Sequence, residues 1–372
     1  MKIGVTTWFR DMNYGTILQA LALQTYLKKL GHEPFLINYL PPRNFPKDKR
    51  RTFMQKVQNK LDFICTNKYK SEHTDIFDKK RQSFFETIDS FCDVTNPVIN
   101  DADFAEIRGS FDAFICGSDQ IWNPNWMDKH FFLDYIDGSK KRKISYAPSI
   151  GLGRLPEQKI KDYTDLLKDF TAVSLREEDA VHQLSTALNK PVKNVCDPVF
   201  LLNKKEWLEL SGNKRKIKEP YLFYYFLTYN SRHWLAVKKF AKKHNLKIVG
   251  LPVVGREFYV FNTNEYINSA PLDFINYIHN AEYVVTDSFH ATSFSILLET
   301  QFFVFEQFSD KSYLNTNSRI VNILNKFAVC DRLIKHNSTA IPELDDINFV
   351  SARKNAEKFI NASKAYLSDS LK

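Results

Sequence analysis

Short apolar runs rich in β-branched and aromatic residues alternate along this chain with longer stretches where apolar positions recur every third or fourth residue. In the first half the short runs lie at 2–8, 34–39, 111–116, 143–148, 172–175 and 192–196, and helical spacing holds over 16–30, 156–170 and 177–188. The second half repeats the arrangement. Strand-like runs at 221–227, 247–251, 283–286 and 302–305 alternate with helical patterns at 232–244, 272–280, 291–299 and 318–326. Alternation of this kind predicts βαβ units and parallel sheets. With right-handed crossovers it predicts an α/β chain of two Rossmann-like, doubly wound domains. Lys, Asn and Gly cluster over 203–219, so the expected domains are 1–205 and 215–345. The remainder, 346–372, carries a last helical pattern at 350–367 that is expected to pack back on the first domain.

One region breaks the alternation. From 41 to 93 there are prolines, a basic cluster (Lys47, Lys49, Arg50, Arg51) and two charged helical patterns, read as an insertion in the first domain. Phe53, Val57, Leu61 and Ile64 recur there at helical spacing, while Lys56 and Lys60 point elsewhere. A basic amphipathic helix of that sort suits an anionic membrane surface. The more ordinary reading of the same pattern is a solvated helix covering the sheet.

Composition narrows the classes. At 372 residues the chain exceeds one ordinary core, and 44% apolar with 26% charged residues is a globular composition. The formal charge of +9 favours anionic partners without choosing among them. The amino-terminal apolar stretch breaks at Arg10 and makes a poor signal peptide. No run approaches the roughly 18–20 uncharged apolar residues of a membrane span. Five scattered cysteines without a C-x-x-C pair argue against a disulfide framework or a zinc site and fit a reducing cytoplasm. There is no P-loop, G-x-G-x-x-G, G-x-S-x-G or H-E-x-x-H. No nucleic-acid motif or aromatic-interleaved basic patch is present, so nucleic acid is not an expected partner.

In open parallel sheets, ligands bind beyond the carboxyl ends of the strands. The residues expected there are Asn13-Tyr-Gly-Thr16, Gly117-Ser-Asp-Gln-Ile-Trp-Asn-Pro124, Ser149-Ile-Gly151, Arg176-Glu-Glu-Asp179, Asp197-Pro198, Asp287-Ser-Phe-His290 and Asp310-Lys311. Singly, each has an ordinary structural explanation, such as an Asx turn, a core tryptophan or a surface ion pair. Their recurrence on one predicted edge points to a ligand cleft. The strongest of them opens a helix. Its N-terminus, with Ser288, His290 and Thr292, can hold an anion on unpaired N–H groups, and an imidazole there can move a proton.

Asn13-Tyr-Gly-Thr-Ile-Leu-Gln-Ala20, Gly117-Ser-Asp-Gln-Ile-Trp-Asn-Pro124, Ser145-Tyr-Ala-Pro-Ser-Ile-Gly151, Ser174-Leu-Arg-Glu177, Asp197-Pro198 and Thr286-Asp-Ser-Phe-His290 together resemble the polysaccharide pyruvyl transferases. The resemblance implies a GT-B-like fold and transfer of the enolpyruvyl unit of phosphoenolpyruvate (PEP) to two sugar hydroxyls. The product would be a pyruvate ketal, with phosphate released and no cofactor beyond PEP as co-substrate. It implies His290 as the catalytic histidine and Arg176 as the PEP-binding arginine, with Lys311 as a third charged group. Asn13, Tyr14, Gly15, Thr16, Ser118, Asp119, Gln120, Trp122 and Asn123 would then bind the acceptor. Asp119, Asp197 or Asp287 would orient or deprotonate it. The implied acceptor is a sugar of a cell-wall, capsular or exopolysaccharide precursor, often lipid-linked, which places the enzyme in the cytoplasm at the inner membrane face. The sequence departs from the family pattern at Ala291, where glycine is usual. Two other readings stay open: a GT-B glycosyltransferase using a nucleotide sugar, and a non-catalytic glycan-binding module.

Overall fold

A computed structural model describes residues 1–41, 53–136, 141–253, 257–260, 269–309 and 316–372. Lys47, Lys49, Arg50, Arg51, Asp310 and Lys311 fall outside the described residues. The elements run β1 (Lys2–Thr6), α1 (Tyr14–Lys29), β2 (Glu33–Tyr39), α2 (Phe53–Glu72), α3 (Thr74–Phe91), β3 (Val94–Val98), α4 (Asp101–Ser110), β4 (Ala113–Cys116) and β5 (Arg142–Ser145). Then come α5 (Glu157–Leu167), β6 (Val173–Leu175), α6 (Glu178–Leu188), β7 (Val192–Asn194) and α7 (Lys204–Ser211). The rest is β8 (Tyr221–Tyr225), α8 (Ser231–Lys243), β9 (Lys247–Gly250), α9 (Glu257–Val260), α10 (Pro271–His279), β10 (Tyr283–Thr286), α11 (Phe289–Leu298), β11 (Phe302–Phe305), α12 (Ser318–Phe327), β12 (Leu333–Ile334) and α13 (Phe349–Ser370).

The chain divides into two compact units. The first holds Met1–Pro46, Ile88–Leu202 and Ala356–Lys372; the second holds Lys47–Thr87 and Asn203–Asn355. The insertion, expected with the first domain, thus contributes 47–87 to the second unit. The stretch 203–219, read as a linker, opens with α7. Asn203 and Glu206 form a capping box at its start, and Gly212 closes it at φ 71.

In the first unit five parallel strands lie in the order β3-β2-β1-β4-β5, with β6 and β7 paired beside them. Every residue of β4 is buried, as a central parallel strand covered on both faces requires. On α1 even Gln19 and Gln24 are buried. Gln24 is satisfied because its amide reaches Pro34 O (3.0 Å) and Asp93 O (2.8 Å) and accepts from Asp93 N (3.0 Å), which pins the approach to β3. In the second unit the order is β12-β11-β10-β8-β9, again all parallel. Each sheet reverses its winding once, between β1 and β4 and between β8 and β10. Those reversals are where doubly wound sheets open a crevice at their carboxyl ends. Among the described residues no helix is long and apolar enough to cross a membrane.

Candidate active site

The chain leaves β4 at Gly117, whose φ of +119 and surroundings admit no side chain: a Cβ would stand 2.1 Å from Tyr146 O. The next residue, Ser118, follows a cis peptide. It is held across the winding reversal, since Ser118 N donates to Gln19 Oε1 (3.1 Å) and Thr7 Oγ1, just past β1, donates to Ser118 O (3.0 Å). Gln19 Nε2 in turn reaches Thr16 O (2.8 Å) and Trp8 O (3.0 Å). Asp119 stands at φ 65, which aspartate tolerates better than most residues. Its carboxylate accepts from Thr16 Oγ1 (2.7 Å) and Gln120 N (2.7 Å).

Arg176 follows β6 and enters this network. Its Nη1 donates to Asp197 Oδ2 at 2.7 Å, and Nη2 lies 3.8 Å from Asp119 Oδ1. The pair is buried, with side chains 4% and 0% exposed. Ser118 Oγ (3.1 Å) and Val199 N (3.1 Å) also donate to Asp197. Next door, the buried Glu177 accepts from the Ser149 hydroxyl and from Ile150 N (3.3 Å). The first unit therefore sets two carboxylates around one guanidinium.

In the second unit β10 ends at Thr286, whose hydroxyl donates to Tyr225 O and accepts from Ser288 N (3.0 Å). Asp287 bridges the reversal, accepting from Leu227 N (2.6 Å), Thr228 N (3.1 Å) and Thr228 Oγ1 (2.6 Å) beyond β8. Burial pushes its carboxyl up to about 7, against the opposing pull of those three donors. Ser288 is the N-cap of α11, its hydroxyl accepting from Ala291 N (3.4 Å). His290 is the second residue of that helix, buried, with its ring 5.3 Å from Phe289. The Arg319 guanidinium lies 5.8 Å from the Phe289 ring centroid, bringing a cation to the same turn.

The structure gathers Thr16, Ser118, Asp119, Arg176 and Asp197 on the first edge, and Asp287, Ser288, His290 and Thr292 on the second. Several expected contacts have structural duties. Asn13 caps α1 by accepting from Gly15 N (3.0 Å), and Tyr14 and Gly15 are buried in that first turn. Thr292 turns its hydroxyl inward to Ser288 O (2.9 Å). Gln120 Oε1 accepts from Asn123 Nδ2 (3.0 Å), and a Cβ on Gly151 would strike both side chains. Trp122 is 0% exposed, stacked on Phe132 at 4.8 Å, with its indole N–H on Phe131 O (2.9 Å). It offers no surface to a sugar. Ala291 sits in helical backbone at the third position of α11, where a methyl group is well accommodated. Thr228 and Arg319 carry no signal in the sequence, whereas Gln19 and Glu177 lie within the motif blocks with no role of their own assigned. Among the described residues no cluster of three or more His, Cys, Asp or Glu is placed to hold a metal.

A model of the polysaccharide pyruvyl transferase family matches residues 13–307, a span that includes both edges. No curated protein matches the chain. Among solved structures, the UDP-GlcNAc 2-epimerase of Methanocaldococcus jannaschii is similar with a TM-score of 0.50 at 13% identity, over 97% of this chain and 93% of that one. An Escherichia coli heptosyltransferase solved with ADP is similar at 0.43 and 9% identity, over 99% of this chain and 100% of that one. The first of these likenesses shows the expected α/β, GT-B-like fold of two Rossmann-like units and carries nothing about the reaction.

Proposed function

Because the chain belongs to the polysaccharide pyruvyl transferase family, we propose that it moves the enolpyruvyl unit of PEP onto two hydroxyls of one sugar. The observation that carries the reading is the position of His290, second in α11 and directly beyond the winding reversal of the second sheet. A helix start there supplies partial positive charge for an anion, and the imidazole supplies a proton.

As imidazolium, His290 gives its proton to the methylene carbon of PEP while a sugar oxygen attacks the neighbouring carbon. The first hydroxyl proton leaves to the imidazole, restoring it. The carbon–oxygen bond to phosphate then breaks, the second hydroxyl closes the ring, and its proton departs with inorganic phosphate. Asp287 acts as a positioning residue, fixing the turn after β8 against the end of β10. Lys311 neutralises the departing phosphate. Arg176 has five N–H donors, and one of them is engaged by Asp197, so a substrate carboxylate must take a different edge of the guanidinium. The carboxylates of Asp119 and Asp197 beside it suit the hydroxyls of a neutral acceptor.

The acceptor in this reading is a lipid-linked precursor of a cell-surface polysaccharide, met at the inner membrane face. Exposed Leu61, Phe63 (67%) and Ile64 on α2, which also carries Lys60 and Lys68, support contact with an anionic bilayer. Co-sedimentation with phosphatidylglycerol vesicles that fades with added salt tests this contact.

The central test is phosphate release from PEP in the presence of a lipid-linked oligosaccharide acceptor, followed by mass spectrometry of the glycan for the added ketal. His290→Ala is expected to lower release at least about a thousandfold while the circular dichroism spectrum is retained. Near-normal release in that variant removes His290 from the chemistry. A thermal-shift comparison of PEP with UDP- and GDP-sugars separates this reading from a nucleotide-sugar transferase, because only a native-state ligand raises the midpoint.

A further inference from the structure

Within the first unit, beyond the carboxyl ends of β1, β2 and β4, lies a cavity of about 1010 Å³ to which the motif blocks contribute Pro124 alone. That volume is at the upper end of small-ligand pockets, which run from about 300 to 1,000 Å³. Its wall is aromatic. Trp8 and Trp126 are partly exposed, with ring centroids 6.4 Å apart and planes inclined at 34°. Tyr39 and His130 continue the wall at 5.0 Å from each other.

These rings are fixed in place. Trp126 Nε1 donates to Gln120 O (3.2 Å), and Trp8 meets Phe131 edge-on at 6.0 Å. Tyr39 donates its hydroxyl to Asp128 Oδ2 (2.8 Å), while His130 Nδ1 pairs with Asp134 Oδ1 (2.7 Å). Arg10 is oriented by its Nε bond to Asn38 Oδ1 (2.7 Å). Pre-set rings and polar groups cost little to order when a ligand arrives.

The charge of the lining decides the ligand class. Arg10, Lys129 and Lys159 are matched by Asp11, Asp128 and Asp134. A phosphate or carboxylate site would carry a cationic excess, and an acyl-chain site would lack this polar rim. A balanced rim of donors and acceptors around inclined indole faces suits a neutral pyranose. The C–H face of such a ring lies on the electron-rich aromatic surface while its hydroxyls reach the rim. We propose that this cavity binds neutral sugar residues of the acceptor glycan, adjacent to those that are modified. The inference rests on the transferase reading above, which supplies the reason for a glycan to be present. Thr7 joins the two places, as it lines the cavity and donates to Ser118 O.

The test uses the full chain without PEP and four neutral probes: lactose, cellobiose, N,N′-diacetylchitobiose and mannotriose. Saturation-transfer NMR is expected to show ring C–H protons of at least one probe against the protein, with quenching of tryptophan fluorescence. Trp126→Ala should weaken that binding at least tenfold, and Trp126→Phe should retain it within about threefold. Should Trp126→Ala fail to fold, Arg10→Met gives the second reading, expected to weaken binding severalfold. Absence of transfer to all four probes, or binding that none of these variants alters, overturns the proposal. Saccharide binding in a protein that never releases phosphate from PEP would instead overturn the reaction and leave this site standing.

Discussion

Replacing Asp197 by asparagine isolates the most charged contact of the first unit. Both carboxylate oxygens face donors: Val199 N on one, Arg176 Nη1 and Ser118 Oγ on the other. An amide of the same shape must turn its NH₂ toward at least one of them, and it leaves a buried guanidinium short of its counter-charge. Breaking a buried pair in this way costs about 3–5 kcal/mol. Asp119, 3.8 Å from Nη2, keeps part of the compensation and holds the loss near the lower figure. The contact lies within one of the two units, so a readout local to that unit reports its loss most directly. Cys116 and Cys196 give a local one, because both are buried in this unit whereas the other three cysteines are partly or fully exposed. With each 1.4 kcal/mol worth about tenfold in an opening equilibrium, their labelling by a thiol reagent should accelerate about 10²–10³-fold in Asp197→Asn. Adding Arg176→Gln should recover much of the loss, with a coupling of about 2 kcal/mol. Acceleration below tenfold, or effects of the two substitutions that simply add, would refute the reasoning.

Other consequences are as direct. Gly117→Ala must force Tyr146 O away from a Cβ at 2.1 Å, and little folded protein should be recovered; Gly31→Ala, at φ +82 with open space around it, should cost only about 1–2 kcal/mol in urea titration. Asp287 has a folded pKa raised from 3.8 to about 7, so its contribution to stability is complete below about 4 and is lost as pH rises through about 7. The loss is at most about 4 kcal/mol, and urea midpoints between pH 4 and 8 should flatten in Asp287→Asn; an unchanged slope would assign the pH dependence elsewhere. Ala291→Gly should lower stability by about 1 kcal/mol and leave the thermal shift expected with PEP under the proposed reaction unaltered, since the site is helical in this chain.

Much of the architecture was legible because its strands are short, apolar and buried on both faces. Ala113–Cys116, Tyr283–Thr286 and Phe302–Phe305 announce themselves in the sequence. Strand β3 did not, because Thr95, Asn96 and Pro97 erase any pattern; as an edge strand it tolerates a proline, and a glutamine on α1 ties down its approach. The two-residue β12 exists only through its pairing with β11. Helix α4 has a readable start in the capping box of Asn100 and Asp103, but no long apolar stripe follows it.

The site was legible for a topological reason and illegible for a chemical one. Strand ends must converge on one edge, so listing them finds Ser118, Asp119, Arg176, Asp197, Asp287 and His290. What each does depends on hydrogen bonds made across long separations, which spacing cannot reveal. Arg176 reads in sequence as a cation awaiting an anion, yet it lies buried on Asp197. Trp122 reads as a platform for a sugar, yet it is enclosed between Phe132 and the Phe131 carbonyl. Trp8 and Trp126, which remain partly exposed, lie outside the quoted motif blocks, each next to another apolar residue (Phe9 and Met127), so no pattern sets them apart. That inversion has a physical basis. The motif residues are needed to fold the turns that end β1 and β4, and a turn that tight consumes its own polar groups. Recognition of a larger partner then falls to the residues flanking the turn, whose side chains are still partly exposed.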